Sequence, residues 1–497
     1  MSGKKLNFDQ PELTVRCGHY INGGYVDDKA AFEVRRPCDG EVYASAPNGS
    51  SETVDQAVKA AQIALADSGW GKCAPRDRAR VLRRWADLID ADAKGLGHLE
   101  AVGSTRPISE TTAWDVPFTA EGIRFFAEFA DKHGGEVAAT QHDQLGLVIA
   151  EPIGVVGAIA PWNFPLVMGS WKCAPALAAG NAVVLKPSEM TPFSIMRLAE
   201  LAVEAGVPAG IFNVVNGEGN STGDAIVRHE GIGKVTFTGS TRTGAAIMAA
   251  CAEAGTKPVT LELGGKSPQV VFNDITNIDQ VADTVSRSIM ANAGQVCNAG
   301  SRLLLQRGIA DAVLERLVKR IENIDAGPTW SQSTNFSPII SHKRRDEIDA
   351  VVARATDAGA QVLARGQLAN MSGGGAYCAP TILDNTDSSM EAVREEIFGP
   401  VMTVQRFDDD EEGIALANDT RYGLVAGVYT SDLDRGLWAM REIQAGTVWI
   451  NRYGRTADFI IPTGGYKQSG IGKDLGRHAF ESNLRYKSAL IAINHGS

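Results

Sequence analysis

The hydrophobic pattern in the middle of the chain alternates between short β-rich runs and helical stretches. Within Phe193–Ala205 the apolar residues recur along one helix face, a proline stands just before this stretch, and Gly206 follows it as a stop signal. Strands that alternate with helices in this way predict an α/β fold, with a parallel sheet covered on both faces. The runs predicted as strands are Ile153–Ala160, Ala182–Lys186, Ile211–Val215, Lys234–Thr238, Val259–Leu263 and Gln269–Phe272.

The flanking regions extend this pattern on both sides. After Asp274 an amphipathic helix precedes a second α/β region that runs to about residue 430, with strands at Ser301–Leu305 and Val401–Phe407. Before Asp131 the pattern predicts one strand and then two long helices, at Tyr20–Val26, Glu52–Ala66 and Pro75–Ala93. The sequence therefore predicts two α/β lobes.

Composition narrows the class of protein. A chain of 497 residues is too long for one ordinary core and predicts two or more domains. The net charge of -11, with no cluster of Lys and Arg interleaved with aromatic residues, argues against a nucleic-acid partner. The most apolar stretch, Leu145–Gly169, contains Glu151, Asn163 and three prolines, so we expect no membrane span.

Cysteine usage and the N-terminal residues indicate the compartment. The seven cysteines are scattered and form no C-x-x-C pair, which fits a reducing compartment and predicts neither a disulfide framework nor a metal site. The segment Met1–Gln10 has no apolar run of signal-peptide length. We therefore expect a cytoplasmic protein.

Two turns carry candidate chemistry. In Pro161–Pro165 two prolines bracket Asn163, whose amide either donates to an oxyanion or caps its own backbone. Phe237–Thr241 ends a strand and opens a helix, an arrangement that favours a phosphate. The glycines from Gly217 to Gly223 form a looser cluster that lacks the G-x-G-x-x-G spacing.

A carboxylate and a thiol are the other candidates. Glu262 ends a very apolar strand, where burial would raise its pKa and suit it to be a general base; the alternative is a surface side chain. Small residues surround Cys297, which is either a nucleophile or a small buried hydrophobe. No histidine is spaced to be its partner, so a Cys–His dyad is not expected.

Taken together, these segments resemble the aldehyde dehydrogenase superfamily from about Tyr20 to Ile493. The six matching segments follow the family's order and spacing. They are Pro161–Pro165, Lys186–Glu189, Phe237–Thr241, Glu262–Lys266, the surroundings of Cys297, and Glu395–Pro400.

The resemblance implies a mechanism and a cofactor. Cys297 would attack the aldehyde, Asn163 would hold the oxyanion, and Glu262 would activate the water that hydrolyses the thioester. NAD is the implied cofactor and NADP stays possible; Glu189 favours NAD because a carboxylate repels a 2′-phosphate. The implied cofactor-binding residues are Trp162, Lys186, Ser188, Glu189, Gly219, Gly223, Phe237, Gly239, Ser240, Leu263, Glu396 and Phe398.

The substrate side departs from the family's usual pattern. Met168, Trp171 and Thr463 would line the aldehyde tunnel, with Thr463 in place of the usual Phe. Asp474 replaces the usual Glu, which weakens a proton-relay role, and Gly103–Pro107 departs from the usual Gly-Lys-Pro without a functional explanation.

The segments His142–Gly146 and Tyr466–Gly470 look most like members that act on ω-amino- or guanidino-aldehydes. Asp458 near the tunnel mouth could attract a cationic substrate, whereas Arg452 and Arg455 would oppose it. We favour the simpler interpretation that all three are solvated loop charges.

The resemblance also implies the architecture: a Rossmann-like cofactor domain, an α/β catalytic domain and a small β arm that forms a homodimer or homotetramer. A carboxylate at Glu262 argues against the alternative of a coenzyme A-acylating semialdehyde dehydrogenase. Retention of Cys297, Glu262 and Asn163 argues against a non-catalytic structural protein of the same fold. The implied domains are 1–130 with 153–263 for NAD, 264–468 for catalysis, and 131–152 with 484–497 for the arm.

Overall fold

The computed structural model describes residues 8–9, 11–28 and 30–493. Most of the segment Met1–Gln10 and the last four residues of the predicted arm lie outside this range. In the described chain no helix is long and apolar enough to cross a membrane.

The first sheet has eight strands, of which the central five are parallel. Its inner strands are buried along their whole length, as expected for a sheet covered on both faces. The strand order is Gly24–Val26, His19–Ile21, Phe212–Val214, Ala182–Lys186, Val155–Ile159, Lys234–Thr238, Val259–Glu262 and Gly470–Ile471.

The second sheet has seven strands and is parallel except for the first. Separate apolar clusters pack on its two faces. The strand order is Gln361–Arg365, Thr381–Asp384, Val401–Phe407, Arg302–Gln306, Pro268–Val271, Val425–Tyr429 and Thr447–Ile450.

Helices cover the two sheets, and local signals set their ends. The helix Phe193–Ala205 has the predicted bounds, because Gly206 adopts a left-handed C-cap with φ 104°. The larger helices are Ser51–Asp67, Pro75–Ala91, Ala93–Gly103, Val116–Phe129, Pro165–Ala178, Phe193–Ala205, Thr241–Glu253, Ile278–Met290, Arg307–Ile321, His342–Asp357, Asp410–Asn418 and Leu433–Glu442. Shorter ones are Ile108–Glu110, Asp224–Arg228, Glu391–Arg394 and Gly476–Glu481.

The remaining strands form three small sheets. Leu484–Ala492 pairs along its length with Gln144–Pro152, which also pairs with Glu136–Ala138. Ala31–Arg35 pairs with Val42–Pro47, and Asn323–Asp325 pairs with Gln367–Ala369. The first of these sheets contains the two segments predicted to form the arm.

Two predicted elements were wrong in their extent. Tyr20–Val26 is a hairpin, not one strand, because Asn22 and Gly23 form its turn with φ values of 53° and 76°. The second long helix ends at Ala91, where Asp92 leaves the helical backbone conformation before the next helix begins at Ala93.

Candidate active site

A cavity of about 520 Å³ opens at the carboxyl ends of the strands of the first sheet, where ligands bind in open α/β sheets. Three strands of this sheet bring Asn163, Ser240 and Glu262 to its wall, and the loop after helix Ile278–Met290 adds Cys297. The predicted site residues that line it are Trp162, Asn163, Met168, Trp171, Gly239, Ser240, Glu262, Leu263, Cys297, Glu396, Phe398 and Thr463.

The Cys297 thiol lies in this cavity without a histidine among the lining residues that the structure describes. Burial first, and then the carboxylates of Glu396 and Glu262, raise the pKa of the thiol to about 12. At neutral pH the protein alone therefore keeps Cys297 protonated. A positive charge beside the thiol, or transfer of its proton to a base, is needed for nucleophilic attack.

Asn163 is buried and held by hydrogen bonds to the loop that carries Cys297. Its amide nitrogen donates to the backbone oxygen of Gln295 over 2.9 Å, and its own backbone oxygen accepts from Asn292 Nδ2 over 3.0 Å. Neither bond is the backbone self-capping that we considered as the alternative. The second N–H of the Asn163 amide has no acceptor among the described residues, so it is available to a ligand in the cavity.

Glu262 is buried at the end of its strand, and the surface-exposed alternative is wrong. Burial, followed by the negative charge of Asp474, raises its pKa well above the usual carboxyl range. Glu262 Oε1 accepts from the backbone N–H of Asp474 over 3.3 Å. A Cβ at Gly464, where φ is +146°, would lie 2.6 Å from this oxygen, so the carboxylate needs a glycine beside it.

Asp474 and Lys172 form a buried ion pair behind Glu262. Lys172 Nζ lies 2.6 Å from Asp474 Oδ2, and their side chains are 0% and 5% exposed. Asp474 itself lines the cavity. The pair sets the electrostatic surroundings of Glu262, because the negative charge of Asp474 raises its pKa and the positive charge of Lys172 lowers it.

Glu396 is a second carboxylate that lines the cavity and acts on Cys297. Its Oε1 accepts from the backbone N–H of Gly265 over 3.0 Å, and a Cβ at Gly264 would overlap its carboxylate. Burial raises the pKa of Glu396 to about 7. Phe398, with φ 53°, packs edge-on against Trp162 with ring centroids 5.4 Å apart. Two aromatic rings and a carboxylate thus form one end of the cavity.

Ser240 and Gly239 stand at the start of helix Thr241–Glu253. The Ser240 side chain caps this helix by accepting from Thr243 N over 3.2 Å. A Cβ at Gly239 would overlap the Phe237 ring, so only glycine lets the backbone approach here. Thr238 Oγ1 is buried beside them without a hydrogen-bond partner among the described residues. The helix start and this unpaired hydroxyl suit a polar ligand with phosphate groups.

The other predicted cofactor residues form a second group that does not line this cavity. Lys186 Nζ donates to the backbone oxygens of Gly217 and Pro187 over 2.7 and 2.8 Å and lies 3.4 Å from Glu189 Oε2. Burial lowers the pKa of Lys186. The Ser188 hydroxyl accepts from Met190 N over 3.3 Å, and a Cβ at Gly223 would lie 3.7 Å from Lys186. This group lies at the ends of the neighbouring strands of the same sheet.

Gly219 and Phe237 are the remaining predicted cofactor residues that do not line the cavity. Gly219 begins a one-turn π-helix that runs to Gly223, and a Cβ on Gly219 would meet open space. Phe237 is buried in the strand Lys234–Thr238 beneath Gly239. Phe237 therefore supports the glycine turn from below.

The substrate side of the cavity contains residues that the sequence analysis missed or misread. Trp114 lines the cavity together with Met168 and Trp171. Arg455 also lines it, with its guanidinium carbon 5.8 Å from the centre of the Trp171 ring. The interpretation of Arg455 as a solvated loop charge was wrong, whereas Asp458 is exposed and does not line the cavity.

The unexplained segment Gly103–Pro107 packs behind the oxyanion candidate. Thr105 Oγ1 donates to Asn292 Oδ1 over 2.7 Å. The buried Arg106 makes two hydrogen bonds of 2.9 and 3.0 Å to Asp115, and its guanidinium lies 4.3 Å from the ring centre of Phe164. This segment thus supports both Asn163 and the turn around it. Its role depends on contacts between distant parts of the chain, which no local sequence pattern reveals.

Comparison with known proteins agrees with this architecture. The chain is 40% identical over 483 residues to the NADP/NAD-dependent aldehyde dehydrogenase PuuC of Escherichia coli K12, covering 97% of each protein. It is 41% identical to the crystal structure of gamma-glutamyl-gamma-aminobutyraldehyde dehydrogenase from Burkholderia cenocepacia J2315, with a TM-score of 0.93 and coverage of 97% and 98%.

A third relative is an indole-3-acetaldehyde dehydrogenase solved with NAD+. It is 39% identical, with a TM-score of 0.93 and 97% of each chain covered. The family model described as "Aldehyde dehydrogenase family" matches residues 25–489. The chain therefore belongs to the aldehyde dehydrogenase family and is an oxidoreductase.

Proposed function

We propose that this enzyme oxidises an aldehyde to the free carboxylic acid with NAD(P)+, through a thioester on Cys297. The observation that carries the proposal is that Cys297, Glu262 and Asn163 line one cavity at the carboxyl ends of the first sheet. They supply a nucleophile, a base with a raised pKa and a hydrogen-bond donor for an oxyanion.

In the first half of the reaction the Cys297 thiol passes its proton to the Glu262 carboxylate, which releases it to solvent, and the sulfur forms a bond to the aldehyde carbon. The carbonyl oxygen becomes an oxyanion, which accepts from the free N–H of Asn163 and from the backbone N–H of Cys297. The carbon–oxygen double bond then re-forms as the hydride leaves, which gives the thioester. NAD(P)+, when bound, supplies the acceptor for that hydride.

In the second half the Glu262 carboxylate removes a proton from water as the water oxygen attacks the thioester carbonyl. The carbon–sulfur bond breaks, the acid is released, and the sulfur regains a proton. A carboxylate at this place supports hydrolysis over transfer of the acyl group to coenzyme A. The ion pair of Asp474 with Lys172 adjusts the pKa of this base.

The residues around the cavity fit a dinucleotide cofactor. The unpaired Thr238 hydroxyl and the close backbone approach at Gly239 and Gly264 are features that a bound polar ligand would use. NAD is named in the relatives' descriptions, and NADP in that of PuuC. We assign to the cofactor Trp162, Lys186, Ser188, Glu189, Gly219, Gly223, Phe237, Gly239, Ser240, Leu263, Glu396 and Phe398.

The name of the gamma-glutamyl-gamma-aminobutyraldehyde dehydrogenase and the segments His142–Gly146 and Tyr466–Gly470 support an ω-aminoaldehyde as the substrate class. Met168, Trp171 and Thr463 are proposed to line the path of the aldehyde. Thr463 makes that path wider and more polar than a phenylalanine would.

The proposed domain roles follow the two sheets. Residues 1–130 with 153–263 would bind the cofactor, and residues 264–468 would provide the catalytic domain. Residues 131–152 with 484–497 would join copies of the chain into a homodimer or homotetramer. We propose a cytoplasmic location, in keeping with the scattered cysteines, none of which is paired in the described chain.

The test is absorbance growth at 340 nm with NAD+ across a panel of aldehydes, with Cys297→Ala as the inactive variant and Cys251→Ala as the matched control. Cys251 is buried and lies outside the cavity. We expect turnover that Cys297→Ala abolishes and Cys251→Ala retains, with the free acid as product. Product formation that required coenzyme A would overturn the hydrolytic assignment.

A further inference from the structure

Arg455 places a cation in the substrate half of the cavity. The side chain is half-buried, and its guanidinium lies over the Trp171 ring. Nη1 donates to the backbone oxygen of Ile461 over 3.1 Å, which is the only hydrogen bond of this side chain within the described residues. A guanidinium carries five N–H donors, so most of those of Arg455 are left for a ligand.

The carboxylates around Arg455 do not neutralise it. Asp474 pairs with Lys172, and Glu262 accepts from the backbone N–H of Asp474 and forms no ion pair with Arg455 among the described residues. Asp458 Oδ2 accepts from the Thr456 hydroxyl over 2.7 Å and is exposed. Among residues 8–9, 11–28 and 30–493, none forms an ion pair with Arg455. A partly desolvated cation without a counter-ion favours an anion in the same cavity.

We infer that Arg455 binds a carboxylate at the far end of the aldehyde, so that the enzyme selects aldehydes with an anionic end over aldehydes with a free ammonium group. This inference rests on the proposed function and narrows its substrate class. An ω-aminoaldehyde meets this requirement for an anionic end when its nitrogen is acylated and the acyl group ends in a carboxylate.

The walls of the cavity suit such a molecule. Met168 and Trp171 provide apolar surface for the methylene chain between the two end groups. Thr463 also lines the cavity, and its hydroxyl offers a second donor. Asn163 and Cys297 hold the aldehyde end, so that the two ends of the substrate meet different polar groups.

The decisive experiment compares three aldehydes of matched length: 5-oxopentanoate, its methyl ester and 4-trimethylammoniobutanal. We expect the wild type to prefer 5-oxopentanoate by about tenfold in kcat/KM, because a charge-assisted hydrogen bond is worth that much or more. Arg455→Gln should remove this preference, mainly through KM, and leave the ester within about twofold. Arg455→Lys should retain part of the preference for 5-oxopentanoate.

Arg452→Gln is the matched control, because Arg452 is an exposed arginine of the same loop that does not line the cavity. It should leave all three aldehydes unchanged. The inference is overturned if the wild type prefers the cationic aldehyde. It is also overturned if Arg455→Gln slows all three equally, because that result would indicate a role at Cys297 or in folding.

A binding measurement separates this inference from the proposed function. Titration calorimetry with glutarate, an unreactive dicarboxylate, should show binding to the wild type. Glutarate should bind Arg455→Gln about tenfold or more weakly, and the neutral glutaramide should not bind the wild type. Glutarate binding without oxidation of any aldehyde would uphold the carboxylate site and contradict the proposed function. Oxidation of the ester without glutarate binding would uphold the proposed function and contradict the carboxylate site.

Discussion

The hydroxyl of Thr105 donates to the side-chain oxygen of Asn292 over 2.7 Å, across 187 residues of sequence. This bond fixes which way the Asn292 amide faces, so that its nitrogen donates to the backbone oxygen of Asn163 over 3.0 Å. Asn163 in turn donates to Gln295 in the loop that carries the nucleophile. Thr105 therefore helps to position the proposed oxyanion donor without lining the cavity itself.

We expect Thr105→Val to lower kcat about tenfold with little change in KM, because the loss of one positioning bond loosens a donor that is used only in the transition state. Steady-state kinetics with an uncharged alkanal measure this effect. The buried Asn292 oxygen, left without its donor, should also cost about 1–3 kcal/mol of stability.

Thr105→Ser keeps the hydroxyl and is the control, with kcat expected close to the wild-type value. A Thr105→Val enzyme that melts at a lower temperature but keeps its kcat would show that the bond serves folding alone.

The raised pKa of Glu262 predicts the pH dependence of thioester hydrolysis. The base acts as a carboxylate, so the hydrolysis rate should rise with pH and reach half its maximum well above the ordinary carboxyl range. Asp474→Asn removes a negative charge beside Glu262 and should shift this midpoint to lower pH. Lys172→Met removes a positive charge and should shift it to higher pH.

Single-turnover kinetics with a preformed thioester give these midpoints. The two variants should move in opposite directions from the wild type, and shifts of the same sign would contradict this account. Each variant leaves a buried charge unpaired and should cost about 3–5 kcal/mol of stability, so melting temperatures must be measured in parallel.

The carboxylate of Glu189 predicts the cofactor preference. It lies 3.4 Å from Lys186 Nζ, and its side chain is 39% exposed. We expect Glu189→Gln to raise the ratio of kcat/KM for NADP+ over NAD+ about tenfold, since removing the negative charge removes repulsion of a 2′-phosphate. Glu230→Gln is the control, because Glu230 is an exposed glutamate that forms no ion pair in the described chain. An unchanged ratio in Glu189→Gln would show that this carboxylate does not meet the ribose.

The sheet of Leu484–Ala492, Gln144–Pro152 and Glu136–Ala138 predicts an oligomer. Leu490 and Tyr486 are 65% and 53% exposed on its outer strand, whose second edge pairs with no strand in the described chain. Such an edge favours pairing with another copy. Light scattering should give a dimer or tetramer, and Leu490→Lys should dissociate it.

Leu433→Lys, at a leucine that is 73% exposed on a helix outside this sheet, should leave the assembly intact. A wild-type monomer across the micromolar range would contradict the proposed role of the arm.

Local sequence pattern determined most of the elements of the first sheet. Ala182–Lys186 and Lys234–Thr238 have their predicted bounds, because each is a short β-rich run bounded by turn residues. Tyr20–Val26 is a hairpin and not the single strand predicted, because Asn22-Gly23 is a strong hairpin signal. The turn chemistry of these two residues outweighs the apolar content of the residues on either side.

The sequence by itself also determined the candidates Asn163, Glu262 and Cys297, because each stands in a short segment with its own recognisable pattern. The tertiary structure decided what surrounds them: the Thr105–Asn292 bond, the Lys172–Asp474 pair and the position of Arg455 over Trp171. These contacts join residues far apart in the chain, and their electrostatic effect depends on burial and distance. A local sequence pattern specifies neither the burial of a side chain nor its distance from others. In the sequence alone, an arginine of the substrate cavity therefore cannot be distinguished from any other loop charge.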